Sequence, residues 1–203
     1  MARGYQSELR EQAKAETRER IVAAVVKVIL DEGVHAFTVQ NVADTAGVSH
    51  RTVYRHFATR EDLLDALSDW LHASVLAAGL PPPTEISAVS AHVGPLFEQF
   101  ARMRDAMRAS VIAAVALGYQ TGSQRRSSSA FEEMAERAFP HLPREEVHDA
   151  AAVLRTLVSR YAWYVLDVDL KVESTRAARG VTWAVATLVQ DLKRRDEAAR
   201  RKR

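Results

Sequence analysis

The chain has 203 residues, 47% of them hydrophobic and 27% charged, a formal net charge of +2 at pH 7 and no cysteine. That is enough apolar material for a buried core in one ordinary domain, or in a small domain joined to a larger one. Near-balanced charge supports no claim of general polyanion binding, and the missing cysteine excludes disulfides, thiolate nucleophiles and cysteine metal sites while being compatible with a reducing cytoplasm.

Residues 1–16 are polar and mixed in charge, with Arg3, Arg10 and Lys14. They read as a flexible N-terminal arm, either a disordered tail or a segment lying along a neighbouring minor groove. From Thr17 the pattern turns helical, with Ile21, Val25, Val28 and Ile29 on one stripe and Gly33 as the stop. Thr38 is a natural N-cap for a second helix, on which Val39, Val42, Ala43 and Ala46 share one arc at about 100° per residue, with Gln40 and Asp44 opposite. Ala46-Gly47-Val48 supplies a tight turn, where glycine tolerates the left-handed conformation, and Ser49 caps a third helix. On that helix Val53 and Phe57 point inward while Arg51 and Arg55 point away. Residues 17–58 are thus expected to form a three-helix unit with its own small core, including Phe37.

The outward and flanking positions between Val48 and Arg60 are His50, Arg51, Thr52, Tyr54, Arg55, His56 and Arg60, with no carboxylate among them. Arginine pairs with guanine edges or phosphates, while Thr and Tyr hydroxyls and the free N–H groups of a helix start suit phosphate oxygens. The pattern suits a helix that enters the major groove; the alternative is a solvated basic face on an ordinary helical hairpin. The set Thr38, Val42-Ala43, Ala46-Gly47-Val48-Ser49, Thr52, Tyr54, His56-Phe57, Arg60 and Leu63 resembles the signature of the TetR family of one-component transcription regulators, over roughly Thr17 to Leu64. Arg60 stands where the family more often has lysine, another cation. Carried over by position, the resemblance implies base contacts from His50, Arg51, Gln40 and Arg55. It implies phosphate contacts from Thr38, Thr52, Tyr54, His56 and Arg60, with Ser49 at the start of the recognition helix.

Thr59 and Asp62 then resemble a capping box, and Leu63, Leu64, Leu67, Trp70, Leu71, Val75 and Leu76 continue an apolar stripe toward Gly79, before Pro81-Pro82-Pro83 ends the helix. This helix reads as a lever joining two domains. Later segments are helical in pattern: Thr84 to about Arg104, with a kink expected at Gly94-Pro95, then Met107 to Leu117, nearly all apolar and expected to be buried. Residues 118–129, rich in Gly, Ser, Gln and Arg, are expected to be a mobile loop, with Ser128 or Ser129 capping a helix over Ala130 to Phe139. A long helix from about Arg144 to Leu166 and a last one from Ser174 to about Leu192 carry broad apolar faces, which either finish a monomeric bundle or pair with copies of themselves. The stretch Lys193 to Arg203, which includes the basic tail 196–203, reads as a solvated, frayed helix end.

Enzyme-like constellations are thin. Glu145 and His148 form half of a di-metal pattern whose second half is absent, and Asp167 with Asp169 reads as turn chemistry more than a cation site. No nucleophile elbow, zinc-protease motif or phosphate-binding glycine loop occurs, so no catalytic residue, metal or cofactor is expected. The longest apolar runs, Ile21 to Val26 and Val111 to Leu117, fall far short of the ~20 residues of a membrane span, so a soluble, cytoplasmic protein is expected.

The expected architecture is all-α: an N-terminal helix-turn-helix DNA-binding domain over 17–58 and a larger helical domain over 59–195. The resemblance implies that the larger domain dimerises and binds a small-molecule effector, with Phe97, Phe100, Met103, Met107, Met134, Trp163 and Tyr164 as candidate pocket residues; core packing is the plain alternative for each. Implied partners are a palindromic double-stranded DNA operator, an unidentified effector and a second copy of the chain, giving a repressor released by its ligand. A helix-turn-helix protein whose larger domain only dimerises, and a helical carrier or enzyme gripping an anion with Arg51 and Arg55, are the competing readings.

Overall fold

A computed structural model describes the backbone of residues 2–202 and the side chains of residues 8–202. Among the described residues there is no strand, and ten α-helices occur: α1 (Ala2–Lys27), α2 (Val39–Ala46), α3 (His50–His56), α4 (Arg60–Ala77), α5 (Val89–Arg102), α6 (Arg104–Leu117), α7 (Gly122–Ala138), α8 (Arg144–Leu157), α9 (Arg160–Trp163) and α10 (Ser174–Arg201). Tight 3-10 turns at Val34–Ala36 and Ile86–Ala88 and wide π-turns at Val28–Glu32 and Tyr164–Asp169 complete the regular structure. Two compact units result, residues 1–70 with 108–121 and residues 71–107 with 122–203, so α4 and α6 each contribute to both.

In the first unit the apolar stripe read from the sequence is the buried one. Ile21, Val25, Val28 and Ile29 are closed off together with Phe37, Val42, Ala43, Val53, Phe57, Leu63 and Leu67, and burial of each large member contributes about 1.5–3 kcal/mol. Helix α1 packs on α2, and α2 on α3. Helix α1 begins at Ala2, ahead of the expected start at Thr17. Residues 8–16 hold strong helix formers with neither Pro nor Gly, and side-chain contacts between Gln12 and Glu16 (3.2 Å) and between Lys14 and Glu11 (4.0 Å) follow helical spacing. They carry no apolar stripe, so a reading that waits for one starts the helix too late. The side chain of Arg3 lies outside the described residues.

The capping box at the start of α4 is formed in both directions: the Asp62 N–H donates to Thr59 Oγ1 (3.1 Å) and the Thr59 N–H donates to an Asp62 carboxylate oxygen (2.9 Å).

In the second unit α5 packs along α10 and α7 along α8. The buried faces are Val89, Val93, Leu96, Phe97 and Phe100 on α5, Ala177, Val181, Val185, Val189 and Leu192 on α10, Met134 and Ala135 on α7, and Val147, Ala151 and Leu154 on α8. Pro95 lies inside α5 with Ala91 one turn before it, both exposed, so the carbonyl that Pro95 leaves without a donor stays in water. Helix α4 ends here with Gly79 at φ 75° and a Leu80 N–H to Val75 carbonyl bond of 3.3 Å, ahead of the prolines.

Four expectations are corrected. The loop expected over 118–129 is confined to 118–121, since α7 starts at Gly122. Ser128 and Ser129 do not cap a helix start but lie inside α7, their hydroxyls donating to the carbonyls of Gln124 (3.0 Å) and Arg125 (3.4 Å) four residues back. The single helix expected from Arg144 to Leu166 is broken at Ser159, whose hydroxyl oxygen accepts from the N–H groups of Tyr161 (3.2 Å) and Ala162 (3.3 Å) and so starts α9 afresh. The tail expected to fray is helical through Arg201: Arg195 pairs with Glu146, and Asp196 accepts the His141 N–H at 2.7 Å. Within Met107 to Leu117, Met107, Val111 and Ala113 are buried as expected, but Val115 is 69% exposed. Arg203 lies outside the described residues.

Candidate nucleic-acid interface

The α2–turn–α3 segment is built from local rules. Thr38 Oγ1 accepts the Asn41 N–H (3.1 Å), and Asn41 Nδ2 donates to the Ala36 carbonyl (3.0 Å) and to Glu32 (3.3 Å), tying the start of α2 to the preceding turn. Gly47 stands at φ 63°, ψ 39°, the left-handed region that costs an L-residue about 1–2 kcal/mol. Ser49 Oγ accepts the Thr52 N–H at 3.1 Å and starts α3. With Val53 at 0% and Phe57 at 3% exposure, one side of α3 is fixed and the other is open.

His50, Arg51, Tyr54 and Arg55 are exposed, as are Thr38, Gln40 and Ser49, while Thr52, His56 and Arg60 are half-buried. The exposed set shares the segment from Thr38 to Arg55, but the side chains are not equally free. Gln40 Nε2 donates to both carboxylate oxygens of Asp44 at 2.9 Å, and the Thr52 and Ser49 hydroxyls lie 2.8 Å apart. The Tyr54 ring meets His50 edge-on, with centroids 4.7 Å apart. Arg60 lays its guanidinium 4.9 Å from the Phe37 ring centre, and its Nε is buried. That residue anchors the first turn of α4 to the core as well as carrying charge.

Helix α1 brings two cations to this surface: Lys14, named above in the N-terminal arm, and Arg18, which the sequence reading did not single out. Arg18 stacks over the Phe57 ring at 4.5 Å. The His56 imidazole is held below its usual range, first by burial and then by the positive charges of Arg55, Lys14 and Arg18. The signal was present in the sequence: Arg10, Lys14 and Arg18 are spaced four apart.

Of the candidate pocket residues, Phe97, Phe100, Met107, Met134 and Trp163 are buried and Met103 and Tyr164 half-buried. Phe97 and Phe100 have centroids 6.1 Å apart, and Phe100 meets Trp163 edge-on at 6.2 Å. Beside them Asp167, buried, pairs with Arg104 at 2.6 Å and accepts the Ser174 hydroxyl at 2.7 Å. Asp167 is therefore a structural partner of two other side chains and not half of a cation site with Asp169. His148 faces Glu136 at 3.0 Å.

Paired caps, a left-handed glycine turn and an outward cationic helix define a helix-turn-helix. Residues 21–67 match the family described as "Bacterial regulatory proteins, tetR family". The chain is 37% identical over 57 residues to the HTH-type transcriptional regulator TtgR of Pseudomonas putida, covering 28% of this chain and 27% of that protein. It is 33% identical over 60 residues to the HTH-type transcriptional repressor KstR2 of Mycobacterium tuberculosis, covering 28% and 30%. The match thus spans under a third of these relatives' length. Solved structures extend the likeness in fold: the multidrug binding protein EbrR complexed with imidazole (TM-score 0.54, 17% identity, 84% of this chain and 93% of that one) and the transcriptional regulator SCO4942 of Streptomyces coelicolor (0.54, 21%, 85% and 97%). The fatty acid degradation regulator FadR of Bacillus halodurans is similar at 0.53, with 20% identity over 83% of this chain and 93% of that one.

Proposed function

We propose that the chain is a homodimeric transcription regulator, not an enzyme, that acts in the cytoplasm as a repressor released from a palindromic operator by a small molecule. The observation that carries this reading is α3 itself, packed through Val53 and Phe57 and exposing Arg51 and Arg55. His50, Arg51, Gln40 and Arg55 read base edges; Thr38, Ser49, Thr52, Tyr54, His56 and Arg60 hold phosphates. Two copies of α3 enter successive major grooves, with half-site centres ~34 Å apart. Among the described residues no helix is long and apolar enough to cross a membrane.

Dimerisation through α8 and α10 is supported by apolar residues left in solvent there: Val153 at 50%, Trp183 at 72% and Leu188 at 37% exposure. Effector binding is supported by the aromatic and Met-rich interior of the second unit, and by a similar fold that is a multidrug binding protein complexed with imidazole. A second reading, in which that unit only dimerises, draws on the close packing of Phe97, Phe100 and Trp163.

Binding-site selection on random duplex tests the DNA claim. The wild type should enrich a two-fold symmetric site, and Arg51→Ala should weaken binding to it by about 1–3 kcal/mol while relaxing preference at one position per half-site. An unchanged profile for Arg51→Ala removes the base-reading role, and no enriched site at all removes the function. Thermal shift against a metabolite and drug panel separates the effector reading from the dimerisation-only one.

A further inference from the structure

Residues 8–16 of α1 are exposed all round. Every residue from Glu8 to Glu16 is open to solvent, Leu9 included at 48%, so none of these side chains is buried against the described residues. A helix with no packed face is marginal alone in water, and here the side-chain pairs Gln12–Glu16 and Lys14–Glu11 support it. On this stretch Arg10 and Lys14, followed one turn later by Arg18, fall within one arc of the helix, since a step of four residues turns the face by only about 40° and advances it about 6 Å. Glu11 borders that arc and meets Lys14 at 4.0 Å, an exposed pair of little strength. Glu8, Glu16 and Glu19 lie on the other side by the same helical count.

The arc is continuous with the DNA-reading surface. Arg18 sits on Phe57, the residue that ends α3, and the charges of Lys14 and Arg18 are felt at His56. We propose that the Arg10–Lys14–Arg18 stripe of α1 is a second phosphate-binding rail, which grips the DNA backbone flanking the bases read by α3. The occupant is duplex DNA because the stripe is cationic, adjoins the recognition helix and presents its charges at steps comparable to a phosphate ladder. The inference rests on the proposed DNA-binding function and widens its footprint to a helix outside the helix-turn-helix.

The test is fluorescence anisotropy of the full chain on a labelled 40-bp duplex carrying the selected site, titrated from about 50 to 300 mM NaCl. Arg10→Gln with Lys14→Gln removes two exposed cations without touching the Arg18–Phe57 contact. The slope of log Kobs against log [NaCl] should flatten by about 1.8, twice the ~0.9 expected per phosphate contact, with the selected sequence unchanged. Lys27→Gln, an exposed cation on the other side of α1, should leave the slope as it was. An unchanged slope in the double variant, or an equal flattening per charge in Lys27→Gln, overturns the rail while leaving the recognition helix standing. A wild type that binds no duplex overturns both.

Discussion

His56 shows how much one side chain reports about its surroundings. Its imidazole lies at the end of α3, half-buried, and burial, Arg55, Lys14 and Arg18 all push against its protonation. The unfolded chain therefore takes up the proton first, near the ordinary imidazole value of about 6.5, so the stability due to neutral His56 is present above that pH and is lost as pH falls toward the lower folded value. A phosphate placed beside it reverses the preference, since an anion favours imidazolium. Operator affinity in the wild type should accordingly rise as pH is lowered from 8 to 5.5, with proton uptake on binding, and His56→Asn should lose that rise when anisotropy is measured over the same range. His92, lowered in the same direction by burial alone, belongs to the second unit; its replacement should alter the acid side of the stability curve and leave DNA affinity untouched.

At the scale of elements, caps decide where helices begin. The reciprocal bonds between Thr59 and Asp62 fix the start of α4, and Thr59→Ala should cost about 1 kcal/mol of stability in urea denaturation followed by circular dichroism, with midpoint lowered and slope unchanged. A loss of more than about 3 kcal/mol would mean that Thr59 holds something besides the cap. This box, the Thr38 and Ser49 caps and the Gly47 turn were legible in the sequence because each is chemistry between neighbours. The break at Ser159 was not, since the apolar stripe from Val147 to Val165 runs across it and only the serine hydroxyl, turned onto Tyr161 and Ala162, restarts the helix. Helix α7 was hidden for the opposite reason: its first two turns are polar, with no apolar stripe to mark them, while Gln124 reaches the Tyr161 hydroxyl at 2.9 Å. In the candidate interface residue types and spacing marked α3, but spacing could not reveal that Gln40 is occupied by Asp44 or that Arg60 leans on Phe37.

For the whole molecule, the proposed function needs two copies. Helix α10 leaves Trp183 72% exposed on the face away from the core and Leu188 37% exposed at the packed stripe, about 140° around the helix, and such apolar surface suits a partner helix better than water. Leu188→Glu should convert the protein to monomers in sedimentation at micromolar concentration and reduce operator affinity at least tenfold, because a single half-site retains only part of the contact set. A dimer that survives this change places the interface on other helices.

Between Phe57, the last residue seated against the core by α3, and Arg60, the first residue of α4, lie only Ala58 and Thr59, and Thr59 is locked into the cap. Such a coupling has almost no backlash. Under the proposed function, whatever turns this shaft turns the reading head with it, so softening the joint should give a regulator that still grips its DNA but answers its signal only partway.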